Sequence, residues 1–257
     1  MTSRQDILDY TKSLACLPVL DSIAVKLSSL LAGGKVSFSR LFDIIRYDPA
    51  LSSKIIAVAN SAWYNRGAPV TGLKRAMMVL GIEEVKDILI CSLFHDGVLK
   101  QLGLRREDIF ELWRHSLLVA FAARALSHGS RKDMDKAFTA GLLHDIGKAP
   151  LQLLCHYDIR HDKTSWDSIC VEERERFGAD HQEIGFCIAR EWNLPEDYRE
   201  VIRLHHEELA DSPIAGLMKK AHILLRIEPG AEDEDEQIRT IRASVKAEAG
   251  KIINIFL

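Results

Sequence analysis

The chain has 257 residues, 47% of them apolar, and a formal net charge of -3. That length suits one large domain or two closely packed lobes with their own core, and the apolar content excludes disorder over most of it. The weakly acidic balance gives no general attraction to nucleic acid or to an anionic membrane. Taken in chain order, the periodicity is helical nearly everywhere. Phe38, Leu41, Phe42 and Ile45 fall at i, i+3, i+4, i+7, with Ser37 as the N-cap. Asp48-Pro49 starts the next helix, which turns Leu51, Ile55, Ile56 and Val58 toward a core. Gly67, Pro69 and Gly72 mark a loop. A helix carrying Met77, Met78 and Leu80 then ends near Gly81, and Glu83 to Leu99 reads as one amphipathic segment. Further helices are predicted at about 107–128, 133–143, 165–177, 181–192, 196–207 and 213–227. The acidic run Glu232 to Glu236 reads as a solvated linker or helix start. Ile238 to Leu257 reads as a last helix with Ile241, Val245, Ile252 and Ile255 inward. No run alternates apolar and polar residues between hairpin turns. The expected fold class is all-α.

Five cysteines, Cys16, Cys91, Cys155, Cys170 and Cys187, are scattered without metal-ribbon spacing. They read as reduced thiols of a cytoplasmic protein. The N-terminus has no apolar signal core, and no run approaches the roughly 20 apolar residues of a membrane span. Arg105-Arg106 and Arg131-Lys132 are short and read as solvated, so no nucleic-acid surface is expected.

Histidine carries the chemical information. Ten are present, and three precede an aspartate: His95-Asp96, His144-Asp145 and His161-Asp162. Two of those pairs are expected to be incidental surface dipeptides. His144-Asp145 differs because it closes the apolar helix Ala137 to Leu143 and precedes Ile146-Gly147-Lys148. A buried aspartate needs a positive partner, either a metal ion or a salt bridge. Glu111 and His115 share a helical face, as do His181 and Gly185, where the glycine admits a close neighbour. His205-His206 ends a helix. Adjacent helical side chains diverge by about 100°, so this pair is expected to serve two ions, or one ion and one substrate oxygen, rather than chelate one ion together. Imidazole and carboxylate donors without thiolate suit iron, manganese, zinc, nickel or cobalt. Such a set suits two ions about 3.5–4 Å apart acting on a phosphoryl group. Lys148 would then stabilise an oxyanion; its alternative role is a surface lysine closing a helix.

These residues carry a resemblance. Trp113-Arg114-His115 and Ala140 to Lys148 resemble the HD superfamily of metal-dependent phosphohydrolases. Leu17-Pro18-Val19-Leu20, Asp48-Pro49-Ala50-Leu51-Ser52, Ala59-Asn60-Ser61-Ala62 and Leu80-Gly81 narrow it to the HDOD family, over about residues 14–227. The resemblance implies a helical N-terminal lobe (1–105) packed on an HD-type metal lobe (106–230), with an acidic linker and last helix at 231–257. It also implies a role in bacterial signalling. The ligand order is similar to the HD-GYP branch, whose pattern finds Glu111, His115, His144, Asp145, Lys148, His181, His205 and His206 here. That implies two divalent ions, iron or manganese first, with zinc, nickel or cobalt as alternatives. Asp145 and Lys148 would be the catalytic groups of a phosphodiesterase acting on a nucleotide or cyclic dinucleotide. The branch's Gly-Tyr-Pro signature is absent. His222 stands where the superfamily's final aspartate is expected, either replacing it as a neutral ligand or weakening the first site. The alternative function is a non-catalytic signalling module whose metal site is structural or sensory and which is read by a protein partner.

Overall fold

The computed structural model describes residues 4–15, 37–65, 67–128, 130–157, 168–207, 213–226 and 235–256. In chain order the helices are α1 (Arg4–Ala15), α2 (Phe38–Ile45), α3 (Pro49–Ala59), α4 (Leu73–Leu80), α5 (Ile82–Ser92), α6 (Arg106–Leu126) and α7 (Arg131–Leu143). There follow α8 (Lys148–Cys155), α9 (Ile169–Phe177), α10 (His181–Glu191), α11 (Glu196–Leu204), α12 (Pro213–Arg226) and α13 (Glu236–Phe256). The described residues contain no strand, and the fold is all-α. No helix among them is long and apolar enough to cross a membrane.

The helix starts follow from local chemistry. Ser37 Oγ accepts from Arg40 N, and Asp48 Oδ1 accepts from Ala50 N and Leu51 N with Pro49 in the first turn. Ser130 and Asp133 form a reciprocal capping box ahead of α7. Asp180 caps α10 through Glu183 N at 2.8 Å. The acidic run resolves into a helix start where it is described: Asp235 Oδ1 accepts from Gln237 N, and Glu236 opens α13. Glu232 to Glu234, Cys16, Leu17 to Leu20 and His161-Asp162 lie outside the described residues.

The helix α6 is the spine. α7, α12 and α13 all pack against it, and Leu112, Trp113, Leu117, Val119, Ala120 and Ala122 are buried along it. A helix buried on so many sides needs no strong amphipathic stripe. The helix α13, beyond the family-like region, also touches α3 and so ties the last described helix to the first half of the chain. Its Val245 and Ile252 are buried and Ile241 is half-buried. The helix α1 lies on α8 and α10. Arg124 of α6 grips Asp87 of α5 with two bonds, at 2.6 and 2.9 Å, and reaches Asp135 of α7 at 3.7 Å. Burial raises the Asp87 carboxyl despite Arg124, so removing either partner strands a buried charge.

Two expectations change. The segment from Glu83 is not one helix: α5 ends at Ser92 and a π turn follows over Leu93–Val98. That wider turn buries His95, which stacks on Trp113 at 4.8 Å and holds Asp96 at 2.9 Å. His95-Asp96 is therefore no surface dipeptide; Asp96 also pairs with Lys54 and Lys100. Met78 points outward and is 70% exposed, while Met77 fills the core.

Backbone contact at glycine brings α7, α8 and α10 together. Gly147, in the turn between α7 and α8, lies against the His181 carbonyl, and a Cβ there would sit 2.6 Å from Gly185 N. Gly185 in turn faces Ile202 and Gly147, the close neighbour that its position four residues after His181 implies. Gly141 rests on the Ala120 backbone of α6 in the same way. Replacing Gly147 with alanine forces these segments apart. Gly147→Ala is expected to cost about 1–3 kcal/mol or more, read as a lower midpoint in thermal or urea unfolding. An unchanged midpoint would show that the turn has slack.

A candidate metal centre around Asp145

Asp145 lies in the turn after α7, fully buried. Its two oxygens face two different sets of imidazoles. Oδ2 is 3.2 Å from Nε2 of both His115 (α6) and His144 (the end of α7), and 2.7 Å from Lys148 Nζ. Oδ1 is 3.4 Å from His181 Nε2 (α10) and 3.5 Å from His205 Nε2 (the end of α11). His222 of α12 completes the first set, its Nε2 3.1 Å from His144 Nε2 and its ring 4.9 Å from that of His115. His206 completes the second, with its ring 4.9 Å from His181 and 4.5 Å from His205. The donor atoms of Asp145, His181, His205 and His206 lie within 4.8 Å of one another, and so do those of His115, His144 and His222.

The far sides of the rings fix which nitrogen carries hydrogen. His144 Nδ1 is 2.7 Å from the Gly141 carbonyl, and His205 Nδ1 is 3.2 and 3.1 Å from the carbonyls of Val201 and Ile202. A carbonyl only accepts, so each Nδ1 donates, and Nε2 is the nitrogen turned toward the centre. His181 Nδ1 is 2.6 Å from Glu173 Oε2, which also accepts from the His181 amide at 2.8 Å. Burial works to raise the Glu173 carboxyl, but His181 and Lys148 outweigh it and the group is held below its ordinary value. As an ionised acceptor it takes the Nδ1 proton, which turns Nε2 toward the centre. The Nε2 atoms of His181 and His205 face each other at 3.1 Å. Such a contact requires a proton or a metal cation. Burial lowers His205 to about 3 against the pull of Asp145, so at neutral pH His205 itself does not carry that proton.

Asp145 Oδ1 and His115 Nε2 are buried and complete no hydrogen bond. Burial alone would raise the Asp145 carboxyl, but His144, Lys148 and His115 hold it well below the carboxylate range. Burial likewise lowers His115, His206 and His222. Imidazoles around one ionised carboxylate are the donor set that a divalent cation takes, with outer hydrogen bonds orienting the rings. The residues fit the metal ions that the sequence implies.

Of the residues singled out from sequence, His115, His144, Asp145, Lys148, His181, His205, His206 and His222 converge. Glu111 does not join them; its carboxylate pairs with Arg114 at 2.8 Å and is partly exposed. The donor atoms of His205 and His206 fall in one group with Asp145 and His181, because α11 ends at Leu204 and both residues lie in the turn that follows. Lys148 opens α8 rather than closing a helix on the surface, and its amine lies on Asp145. Glu173 escapes a reading of the sequence. So do Tyr157, whose hydroxyl bonds to Glu173, and Cys170, whose thiol donates to Gln182 Oε1 at 3.0 Å. Cys170, Glu173 and His181 form a third close group. Burial pushes the Cys170 thiol up, however, so it stays protonated and supports the neighbourhood of His181.

The HDOD domain family model matches residues 17–208. A ribonuclease Y of Thermus thermophilus is 26% identical over 92% of this chain and 35% of its own length. The chain spans a little over a third of the curated relatives that head the comparison. A provisionally named signal transduction protein from Marinobacter aquaeolei VT8 has a solved structure with TM-score 0.67 and 20% identity, over 96% of this chain and 65% of that one. A provisionally named metal-dependent phosphohydrolase from Shewanella amazonensis SB2B gives TM-score 0.57 and 23% identity, over 95% and 98%. These two likenesses bear on the fold.

If Glu173 orients His181 as a ligand, Glu173→Gln weakens divalent-cation binding about 10- to 100-fold. Calorimetric titration of the metal-free protein measures this, with circular dichroism checking helix content. Equal affinity in the folded variant would make Glu173 a packing residue.

Proposed function

This chain belongs to the HDOD domain family, and on that footing we propose that its centre binds divalent cations and hydrolyses a phosphoester. The observation that carries this reading is the shared Asp145 carboxylate with imidazole Nε2 atoms facing it on both of its sides. His115, His144 and His222 would hold one cation and His181, His205 and His206 another, with Asp145 between them. Bound there, the cations supply Lewis acidity and offset charge developing on a phosphoryl group. Lys148 is placed to meet an anionic substrate oxygen beside them, because its ammonium already reaches the Asp145 edge of the centre. His115 and His206, the two partly exposed rings, mark where a substrate would approach.

The substrate we propose is a nucleotide-like phosphodiester, including cyclic dinucleotides. The name of the ribonuclease Y relative is consistent with phosphodiester chemistry. The name of the Marinobacter neighbour is consistent with a signalling setting. Free thiols at Cys91, Cys155, Cys170 and Cys187 suit a reducing cytoplasm. One observation favours a second reading, a signalling module that binds the cations without turnover. Asp145, His144, His181 and His205 are almost wholly buried, which restricts access for a large substrate.

The test is metal analysis of protein purified without added metal, followed by assays on bis(p-nitrophenyl) phosphate, cyclic dinucleotides and short RNA. Bound divalent metal with turnover is expected, and His144→Ala is expected to reduce turnover at least about 100-fold. Full metal occupancy with no turnover across the panel would favour the non-catalytic module.

A further inference from the structure

The donor set is unusual in its charge. The two groups and the acid they share comprise six imidazoles and a single carboxylate, Asp145. The one negative charge is already opposed by Lys148, 2.7 Å from Oδ2. Glu173 lies behind His181 on its Nδ1 side, and Glu111 is turned to Arg114, so neither adds an oxygen donor toward the two groups. His222 is the residue that tips this balance. It is 6% exposed and projects from α12 between His115 and His144, where a carboxylate would have added both charge and a hard oxygen.

Magnesium and manganese are held by oxygen donors and net negative charge, whereas imidazole favours the later metals of the first row. We propose that this centre selects nitrogen-preferring cations such as zinc, cobalt, nickel or ferrous iron over manganese and magnesium, and that His222 sets the selectivity. The inference rests on the metal-binding reading above but not on catalysis. A set built from imidazole nitrogens discriminates through bond preference. The same set gives a hard, strongly hydrated cation little electrostatic reason to lose its water.

The experiment is calorimetric titration of the metal-free full chain with cobalt(II) and manganese(II) in turn. It is repeated on His222→Asp and on His222→Glu, since aspartate is shorter than the imidazole it replaces. Cobalt is expected to bind the wild type more tightly. In the carboxylate variant that reaches the site, the cobalt-to-manganese affinity ratio is expected to narrow by about tenfold or more, through a gain in manganese affinity. An unchanged ratio in both folded variants overturns the role of His222 alone. Uptake of neither cation by the wild type overturns the metal-binding reading together with this one. If neither variant folds, X-ray absorption of the cobalt-loaded wild type decides. Scattering from about three imidazoles per cation supports the proposal, and an oxygen-dominated shell overturns it.

Discussion

A single buried carboxylate organises this structure. Asp145 faces His115, His144 and Lys148 with one oxygen and His181 and His205 with the other, and none of its surface meets solvent. Burying an ionised carboxylate is costly unless compensating charge and hydrogen bonds surround it. Lys148 supplies one compensating charge. Four of the imidazoles add little more, because burial drives His115, His205, His206 and His222 toward their neutral forms. The remaining field is what a divalent cation would satisfy on each side of the acid.

The scaffold serves that arrangement. His115 comes from α6, His144 and Asp145 from the end of α7, Lys148 from the start of α8, His181 from the start of α10, His205 and His206 from the end of α11 and His222 from α12. All but His115 and His222 sit at a helix start or just past a helix end, where backbone direction changes and side chains can turn inward together. The helix α6 fixes the distance between α7 and α12, because both pack on it. Glycines at 141, 147 and 185 let backbones approach where any Cβ would hold them apart. Backbone carbonyls and Glu173 then lock ring orientation, so the donor atoms are set before any ligand arrives.

Much of this is legible in the sequence, for local reasons. Ser37 and Asp48 cap helices because their side chains reach backbone amides two or three residues on, a relation visible in a short window. His144-Asp145 stands out because an apolar helix runs into it, and Gly185 because a missing side chain implies a close neighbour. What is not legible depends on non-local geometry. Glu173 sits in the charged stretch Glu172 to Arg176, whose other members are exposed, and it reaches His181 only because the chain reverses at Gly178. The convergence of His205 and His206 turns on α11 ending just before them. The burial of His95 follows from a π turn that helical periodicity does not announce.

Membership of the HDOD domain family accounts for the helical fold, and the character of the centre follows from six imidazoles gathered around one carboxylate. The most direct test of the account is anomalous X-ray diffraction, at the absorption edge of the metal found, from crystals of protein purified without added metal. Two anomalous peaks are predicted, one on each side of the Asp145 carboxylate: one among His115, His144 and His222, the other among His181, His205 and His206. Crystals with no peak at either position, and with the histidines hydrogen-bonded to one another or to water instead, would contradict it.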